Sequence, residues 1–336
     1  MKAAVLQNLR EALEIQDIDK PTAGAGEVVV QVKSASLNHR DLWIQKGLYP
    51  RIVTPLVVGS DGAGVVTDLG EGVASEWLHK EVIMNPSHNW GDNPDYYGAD
   101  HKILGMPDNG TFAEYIKIEA KYLVEKPAHL SFEQAAALPL AGLTGYRALF
   151  TRCGLRPTDK VLITGAGGGV ALLAIQMAVA IGAEVWVTSG SDDKIAKAMD
   201  MGAKGGINYK NPTWYRDLLV KARGPKTGYF NVIIDSAGGA GFTFLTDLAA
   251  PGANICFYGG GRGNITDLVP AKIFFKQLNI KGTTMGNDAE FADMVALISE
   301  KKIVPVIDRT FTLDQAEEAL QYMESGQQFG KIMLNI

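Results

Sequence analysis

The chain has 336 residues, 46% of them hydrophobic and 21% charged, with a formal net charge of −5. That length gives room for about two domains and buries about three quarters of the unfolded surface, so no disulfide or metal staple is needed. The mild acidity excludes a nucleic-acid partner, which would require a clustered basic face, and the widely separated Cys153 and Cys256 form no disulfide framework.

No run of 18 apolar residues is present, and the N-terminal stretch is too acidic for a signal peptide; a soluble, cytoplasmic protein with no membrane partner is expected. In chain order, "EVVVQVKSASL" (27–37), "PLVVGSDGAGVVTDLG" (55–70), "EVIMNP" (81–86) and "GTFAEYIKI" (110–118) read as strands separated by turns. Helical periodicity is scarce before residue 130. There the pattern changes: Ser131 and Gln134 form a capping-box pair ahead of an Ala/Leu-rich helix over 130–150.

A regular alternation follows. "KVLIT" (160–164), "EVWVTS" (184–189), "GGINY" (205–209), "YFNVIIDSAGG" (229–239), "GANICFYGG" (252–260) and "LNIKGTT" (278–284) predict six strands, with helices over 168–183 and 192–203. Short apolar strands separated by helices predict an α/β fold built on a doubly wound parallel six-stranded sheet. Beyond residue 285 a helix, a strand, a helix and the closing strand "GKIML" lie past the sixth strand and are expected to return to the β-rich first domain. The expected domains are 1–127 with 286–336, and 128–285.

The turn "VLITGAGGGVALLAIQ" sets Gly165, Gly167, Gly168 and Gly169 between a strand and a helix, with a second strand about 20 residues on. A pyrophosphate can approach such a backbone without meeting a Cβ, and the helix N-terminus offers unpaired N–H groups. Gly165, Ala166, Gly167, Gly168, Gly169 and Val170 are therefore cofactor-binding candidates. The second strand ends in Thr188, Ser189, Gly190 and Ser191, with no carboxylate for an adenosine 2′-hydroxyl. Room for a 2′-phosphate, with Lys194 nearby, favours NADP(H) over NAD(H). Asp192 and Asp193 count against this, but fall in a first helical turn, where acids suit the dipole.

"GLYPRIVTPLVVGSDGAGVV", "AAALPLAGLTGYRAL", "GAGGGV" and "FGKIML" together resemble the medium-chain dehydrogenase/reductase superfamily over essentially the whole chain. The resemblance implies a GroES-like catalytic domain, a Rossmann domain, an active-site cleft between them, and a homodimer formed through strand 278–284. The zinc-bearing branch carries ligands where this chain has Asn38, the Gly59-Ser60-Asp61 triplet and Ala141, and a relay histidine where it has Trp43. Zinc needs deprotonated N, S or O ligands, so no metal is expected, and the chain is similar to the zinc-free quinone and enone reductases.

That branch implies Asn38, Asp41 and Tyr49 around the nicotinamide and Thr144 near its carboxamide. It also implies Ser189, Ser191, Lys194 and Tyr209 at the adenosine phosphate, and Ser236, Tyr258, Gly259 and Gly260 along the cofactor. The alternative readings are structural: Asn38 and Asp41 cap a turn, Tyr49 is a core aromatic, and Thr144 bonds the carbonyl one turn back. Tyr209 then packs over a strand end, Lys194 is a solvated helix charge, and His39 is either a phosphate contact or plain surface.

The expected activity is hydride transfer from NADPH to a small quinone or α,β-unsaturated carbonyl. A non-catalytic NADP-binding protein and a zinc alcohol dehydrogenase are the rivals. The segment from Pro86 to Gly110, with His88, His101, Asp92 and Asp95, lies where zinc-bearing relatives place a four-cysteine lobe. It contains no cysteine and is expected to be held by turns and by Trp90, Tyr96 and Tyr97.

Overall fold

β-Branched runs punctuated by glycine and proline dominate the first third, and they fold as strands. The computed structural model describes residues 1–336. The first ten strands are β1 (Lys2–Leu6), β2 (Glu14–Asp17), β3 (Glu27–Ser36), β4 (Leu56–Val57), β5 (Asp61–Leu69), β6 (Glu81–Met84), β7 (Ser87–His88), β8 (Lys102–Ile103), β9 (Tyr115–Glu119) and β10 (Leu123–Glu125). One helix, α1 (His39–Gln45), follows β3. Then come α2 (Phe132–Ala136), α3 (Pro139–Tyr146) and a π-helical segment (Arg147–Arg152).

The alternating region runs β11 (Lys160–Ile163), α4 (Gly169–Ala180), β12 (Glu184–Ser189), α5 (Asp192–Asp200), β13 (Gly205–Asn208), α6 (Trp214–Lys221), β14 (Phe230–Asp235), α7 (Phe242–Leu248), β15 (Ala249–Phe257), α8 (Pro270–Lys276) and β16 (Asn279–Gly282). The last elements are α9 (Asp288–Lys301), β17 (Ile307–Thr312), α10 (Ala316–Glu324) and β18 (Lys331–Asn335).

The chain divides into two units, Met1–Leu143 with Gly286–Ile336, and Thr144–Met285. In the first unit a seven-stranded sheet has the order β10-β6-β5-β3-β18-β17, with β9 also on β3; β2-β1-β4 form a second sheet. The ten-residue β3 holds this unit together. It pairs along its length with β5, through Glu27–Gln31 with β9, and through Ser34–Ser36 with β18. Val28, Val30, Phe112, Ile116, Leu320 and Leu334 share one core, so α10 and β18 complete the same hydrophobic interior as the early strands. The closing elements thus return to the β-rich unit, as their place beyond the sixth strand suggested.

The second unit is an all-parallel six-stranded sheet in the order β13-β12-β11-β14-β15-β16. Its chain order is 3-2-1-4-5-6, with the switch point between β11 and β14. Strands enclosed on both faces carry near-continuous apolar runs; Val161, Leu162, Ile163, Ile233, Ile234 and Ile255 are all fully buried.

Three details differ from the sequence expectations. The helix over 130–150 is broken between α2 and α3, because Pro139 lacks an N–H and disfavours helical backbone at Leu138, and α3 runs on into the π-helical segment. The division between units falls at 143/144 rather than 127/128, because α2 packs on β3 and β5 and the Leu140 N–H bonds Asp61. Helix α1, seven residues long, was not expected at all; it is too short for periodicity to reveal. No helix is long and apolar enough to cross a membrane.

Candidate active site

The first unit gathers its polar side chains at the C-terminal end of β3 and the start of β5. Asp61, fully buried, accepts through Oδ1 from the Leu140 N–H at 2.8 Å. Its Oδ2 accepts from Ser36 Oγ at 3.0 Å, Asn38 Nδ2 at 2.9 Å and Lys331 Nζ at 3.0 Å. Lys331 Nζ also donates to the Leu37 carbonyl and to Asn38 Oδ1, both at 2.8 Å, so all three ammonium protons are used. Both partners are almost wholly enclosed. Such a pair tolerates burial only because the remaining protons and lone pairs are satisfied.

Asn38 is the N-cap of α1, and its N–H donates to Asp41 Oδ2 at 2.8 Å. Asp41 is fully buried and its Oδ1 has no hydrogen-bond partner. Burial pushes its pKa up to about 6, against the opposing pull of the Arg40 guanidinium. The carboxyl is enclosed in the first turn of α1, where it accepts from the Asn38 N–H and holds Asn38 in place.

The Arg40 guanidinium lies 5.1 Å from the centre of the half-buried Tyr49 ring. It donates to Ser60 Oγ at 2.7 Å and to the Leu104 carbonyl at 2.9 Å, with longer bonds to the Ile103 and Met106 carbonyls. His39 is exposed. Thr144 is buried on α3, in the second unit. Asn38, Asp41 and Tyr49 thus share one neighbourhood. Among its organisers, Lys331 and Arg40 have no role in the sequence reading, and Asp61 figures there only as the last residue of the triplet at a zinc-ligand position.

At the positions that the resemblance assigns to zinc ligands, the polar side chains bond one another and their neighbours, Asp61 among them. Asn38 Oδ1 is taken by Lys331, Ser60 Oγ by Arg40, and Ala141 has no donor atom. Elsewhere no group of three or more His, Cys, Asp or Glu side chains comes together to hold an ion.

The Pro86–Gly110 lobe is organised by hydrogen bonds. His88 Nε2 bonds the Asn85 carbonyl at 2.9 Å and its ring stacks on Tyr122 at 3.9 Å; burial pushes its pKa down to about 4. His101 Nε2 bonds Ser87 Oγ at 3.0 Å and joins Trp90 and Tyr97 in a ring cluster. Tyr96, expected among these aromatics, is 65% exposed and outside the cluster.

In the second unit the glycine turn has the backbone that only glycine adopts easily: φ is +74° at Gly165 and +133° at Gly167. Ala166 spans them, its N–H donating to the Thr188 carbonyl at 2.8 Å. Gly168 caps α4 without a side chain, leaving first-turn N–H groups around Gly169 and Val170 for an anion. A cavity of about 440 Å³ opens at the carboxyl ends of β11, β12 and β14, lined among others by Thr188, Tyr209, Ser236 and Arg262. These features fit a dinucleotide.

Two expected phosphate ligands are already engaged. Ser189 Oγ is buried and donates to the Ala166 carbonyl at 3.1 Å, and Ser191 Oγ caps α5, accepting from the Lys194 N–H. Each hydroxyl thus has a partner in the strand end or the helix start. Ser236 N–H donates to Thr164 Oγ1 at 3.1 Å. Tyr258 N–H donates to the Asp235 carbonyl at 3.1 Å, fixing the start of the loop that carries Gly259 and Gly260.

Residues 24–128 match the alcohol dehydrogenase GroES-like domain, and residues 169–300 match the zinc-binding dehydrogenase family. The chain is 36% identical to a zinc-type alcohol dehydrogenase-like protein of Leptosphaeria maculans, over 96% of this chain and 94% of that one. It is 28% identical to an acryloyl-coenzyme A reductase of Metallosphaera sedula, over 99% of each. A crystal structure of an NAD-dependent alcohol dehydrogenase matches with a TM-score of 0.93 at 35% identity, covering 100% of both chains.

Two outcomes follow from the buried charges. Asp41 binds its proton more tightly folded than unfolded, so its ionisation costs stability as pH rises from about 4 through about 6. Asp41→Asn keeps an acceptor for the Asn38 N–H. Its stability relative to the wild type is expected to rise across that window, levelling off by about pH 7 at a gain of roughly 3 kcal/mol in urea denaturation; a pH-independent difference would refute the assignment. Lys331→Met should cost about 3–5 kcal/mol, and adding Asp61→Asn should recover part of the loss; simple additivity in the same assay counts against the pairing.

Proposed function

Because the chain belongs to the medium-chain dehydrogenase/reductase superfamily and is an oxidoreductase using a nicotinamide cofactor, we propose that it is an NADPH-dependent reductase of quinones or α,β-unsaturated carbonyls that works without zinc. The observation that carries this reading is the chemistry at the ligand positions, where Asn38, Ser60 and Ala141 replace a metal-binding set. Reduction of an enone or quinone spreads the incoming negative charge over a conjugated system. Hydrogen-bond donors can meet that charge without a Lewis acid. The acryloyl-coenzyme A reductase named among the relatives acts, by its name, on a conjugated carbonyl of this kind.

When bound, the nicotinamide supplies the hydride. The side chains in this reading orient and donate. The Asn38 amide is fixed at both ends, its oxygen by Lys331 and one N–H by Asp61; its second N–H is the donor for the substrate oxygen. Asp41 positions Asn38, Tyr49 supplies a phenol proton, and Thr144 sits at the carboxamide. The preference for NADPH rests on the β12 tip, Thr188-Ser189-Gly190-Ser191, which has no carboxylate for a 2′-hydroxyl.

The purified protein should oxidise NADPH with members of a quinone and enone panel, with no dependence on added zinc and no loss on chelation. Turnover confined to alcohols, accompanied by one tightly bound metal per chain, would overturn this reading. Asn38→Ala should lower kcat/KM by about tenfold to a hundredfold with NADPH affinity unchanged, as measured by steady-state kinetics and fluorescence titration.

The reading includes a homodimer. β16 is the free edge of the six-stranded sheet, and α8 beside it exposes Phe274 (61%) and Phe275 (81%). An unpaired parallel edge beside two solvent-facing phenyl rings suits pairing with a second copy. Light scattering should give twice the 36.1 kDa of one chain, reduced to a monomer by Ile280→Pro, which removes an edge donor.

A further inference from the structure

The loop after β15 brings a cation to the mouth of the second unit's cavity. Arg262 Nη2 donates to the Tyr209 hydroxyl at 2.9 Å, and the guanidinium carbon lies 4.6 Å from the ring centre. Tyr209 follows β13, and its hydroxyl hangs over the β12 tip: a Cβ placed on Gly190 would lie 2.9 Å from that oxygen. Lys194 comes in from α5, its Cδ 2.9 Å from a Cβ placed on Gly167. The glycine turn and the β12 tip are themselves joined by the bond from Ser189 Oγ to the Ala166 carbonyl. Two cations from separate segments therefore flank one small gap floored by glycines.

The arginine is seated rather than loose. Its N–H donates to the Ala237 carbonyl at 3.0 Å, and the Gly239 N–H donates to the Gly263 carbonyl at 3.0 Å. Gly239 has φ +69°, and a Cβ there would come within 2.7 Å of the Arg262 carbonyl oxygen, so this close approach requires glycine. Two of the nearby carboxylates, Asp235 and Asp192, have partners. Asp235 accepts from Thr164 Oγ1 and from the Ala237 and Gly238 N–H groups. Asp192 accepts from Asn208 Nδ2. The guanidinium spends one side-chain bond on a neutral phenol, which leaves donors in the fork geometry that matches a phosphate.

We propose that Arg262 determines cofactor specificity by gripping the 2′-phosphate of the adenosine ribose, with the Tyr209 ring as its platform and Lys194 opposite. The proposal rests on the NADPH reading and names the side chain that makes the choice. It also moves the task away from Ser189 and Ser191, whose hydroxyls hold the β12 tip and the start of α5.

The test is an equilibrium titration of the full-length protein with 2′,5′-ADP and 5′-AMP, followed by NADPH and NADH. Wild type should prefer 2′,5′-ADP. Arg262→Gln should weaken 2′,5′-ADP and NADPH by about tenfold or more while 5′-AMP and NADH stay within about twofold, and Arg262→Lys should restore part of the loss. Unchanged 5′-AMP binding also reports an intact fold. If Arg262→Gln keeps the full preference, or loses both probes equally, Arg262 is not the selector although the NADPH reading stands. A wild type indifferent to the 2′-phosphate defeats both.

Discussion

An ammonium group taken out of water stays charged only where acceptors replace its hydration, and Lys331 finds three. Those acceptors come from the end of β3, from the N-cap of α1 and from the first residue of β5. The last strand is thereby tied to the two strands that pair most extensively in the sheet, and the Asn38 amide is locked in orientation. Asp61 carries the opposite charge, and three further donors share its oxygens. Position and electrostatics in the first unit therefore have one origin. A fixed positive charge stands beside Asn38.

The fold was largely legible because its signals are local. Buried parallel strands write themselves as short apolar runs, and the glycine turn lies between strand and helix. The returning C-terminal elements had to go somewhere once the six-stranded sheet was full. The polar centre was legible only in part. Asn38 and Asp41 stand out locally, but the same residue types serve as ligand contacts and as helix caps, and the bond from the Asn38 N–H to Asp41 is a matter of three-dimensional arrangement. Lys331 pairs with a residue 270 positions away, and a lysine in a closing strand reads as surface until its partner is known. Arg262 was hidden for a different reason: in "GGGRGN" the glycines announce a flexible turn, and nothing local says that the turn folds back onto Gly239.

The cofactor end illustrates how a strand tip divides its labour. Small hydroxyl residues after β12 look like ligands in a one-dimensional reading, yet a serine at a strand-to-helix junction is also the natural helix cap. Ser189 and Ser191 each bond the backbone, and the first carboxylates, Asp192 and Asp193, follow in the first turn of α5. With no carboxylate on the strand tip itself, the charge around it is set by the segments that surround it: α5 with Asp192, Asp193 and Lys194, and the loop that carries Arg262.

The link between residue 61 and residue 331 also bears on how the chain is made. The second unit is one continuous stretch, Thr144–Met285, and all six strands of its sheet lie within it. It can fold as soon as it leaves the ribosome. The first unit cannot: its central strand must wait through the synthesis of an entire intervening domain before β18 arrives to occupy its open edge. During that interval Asp61 has no ammonium beside it and the Ser34–Ser36 end of β3 lacks its β18 partner. The early half of the protein is thus built as an unfinished sheet, exposed to mispairing until its final strand is delivered.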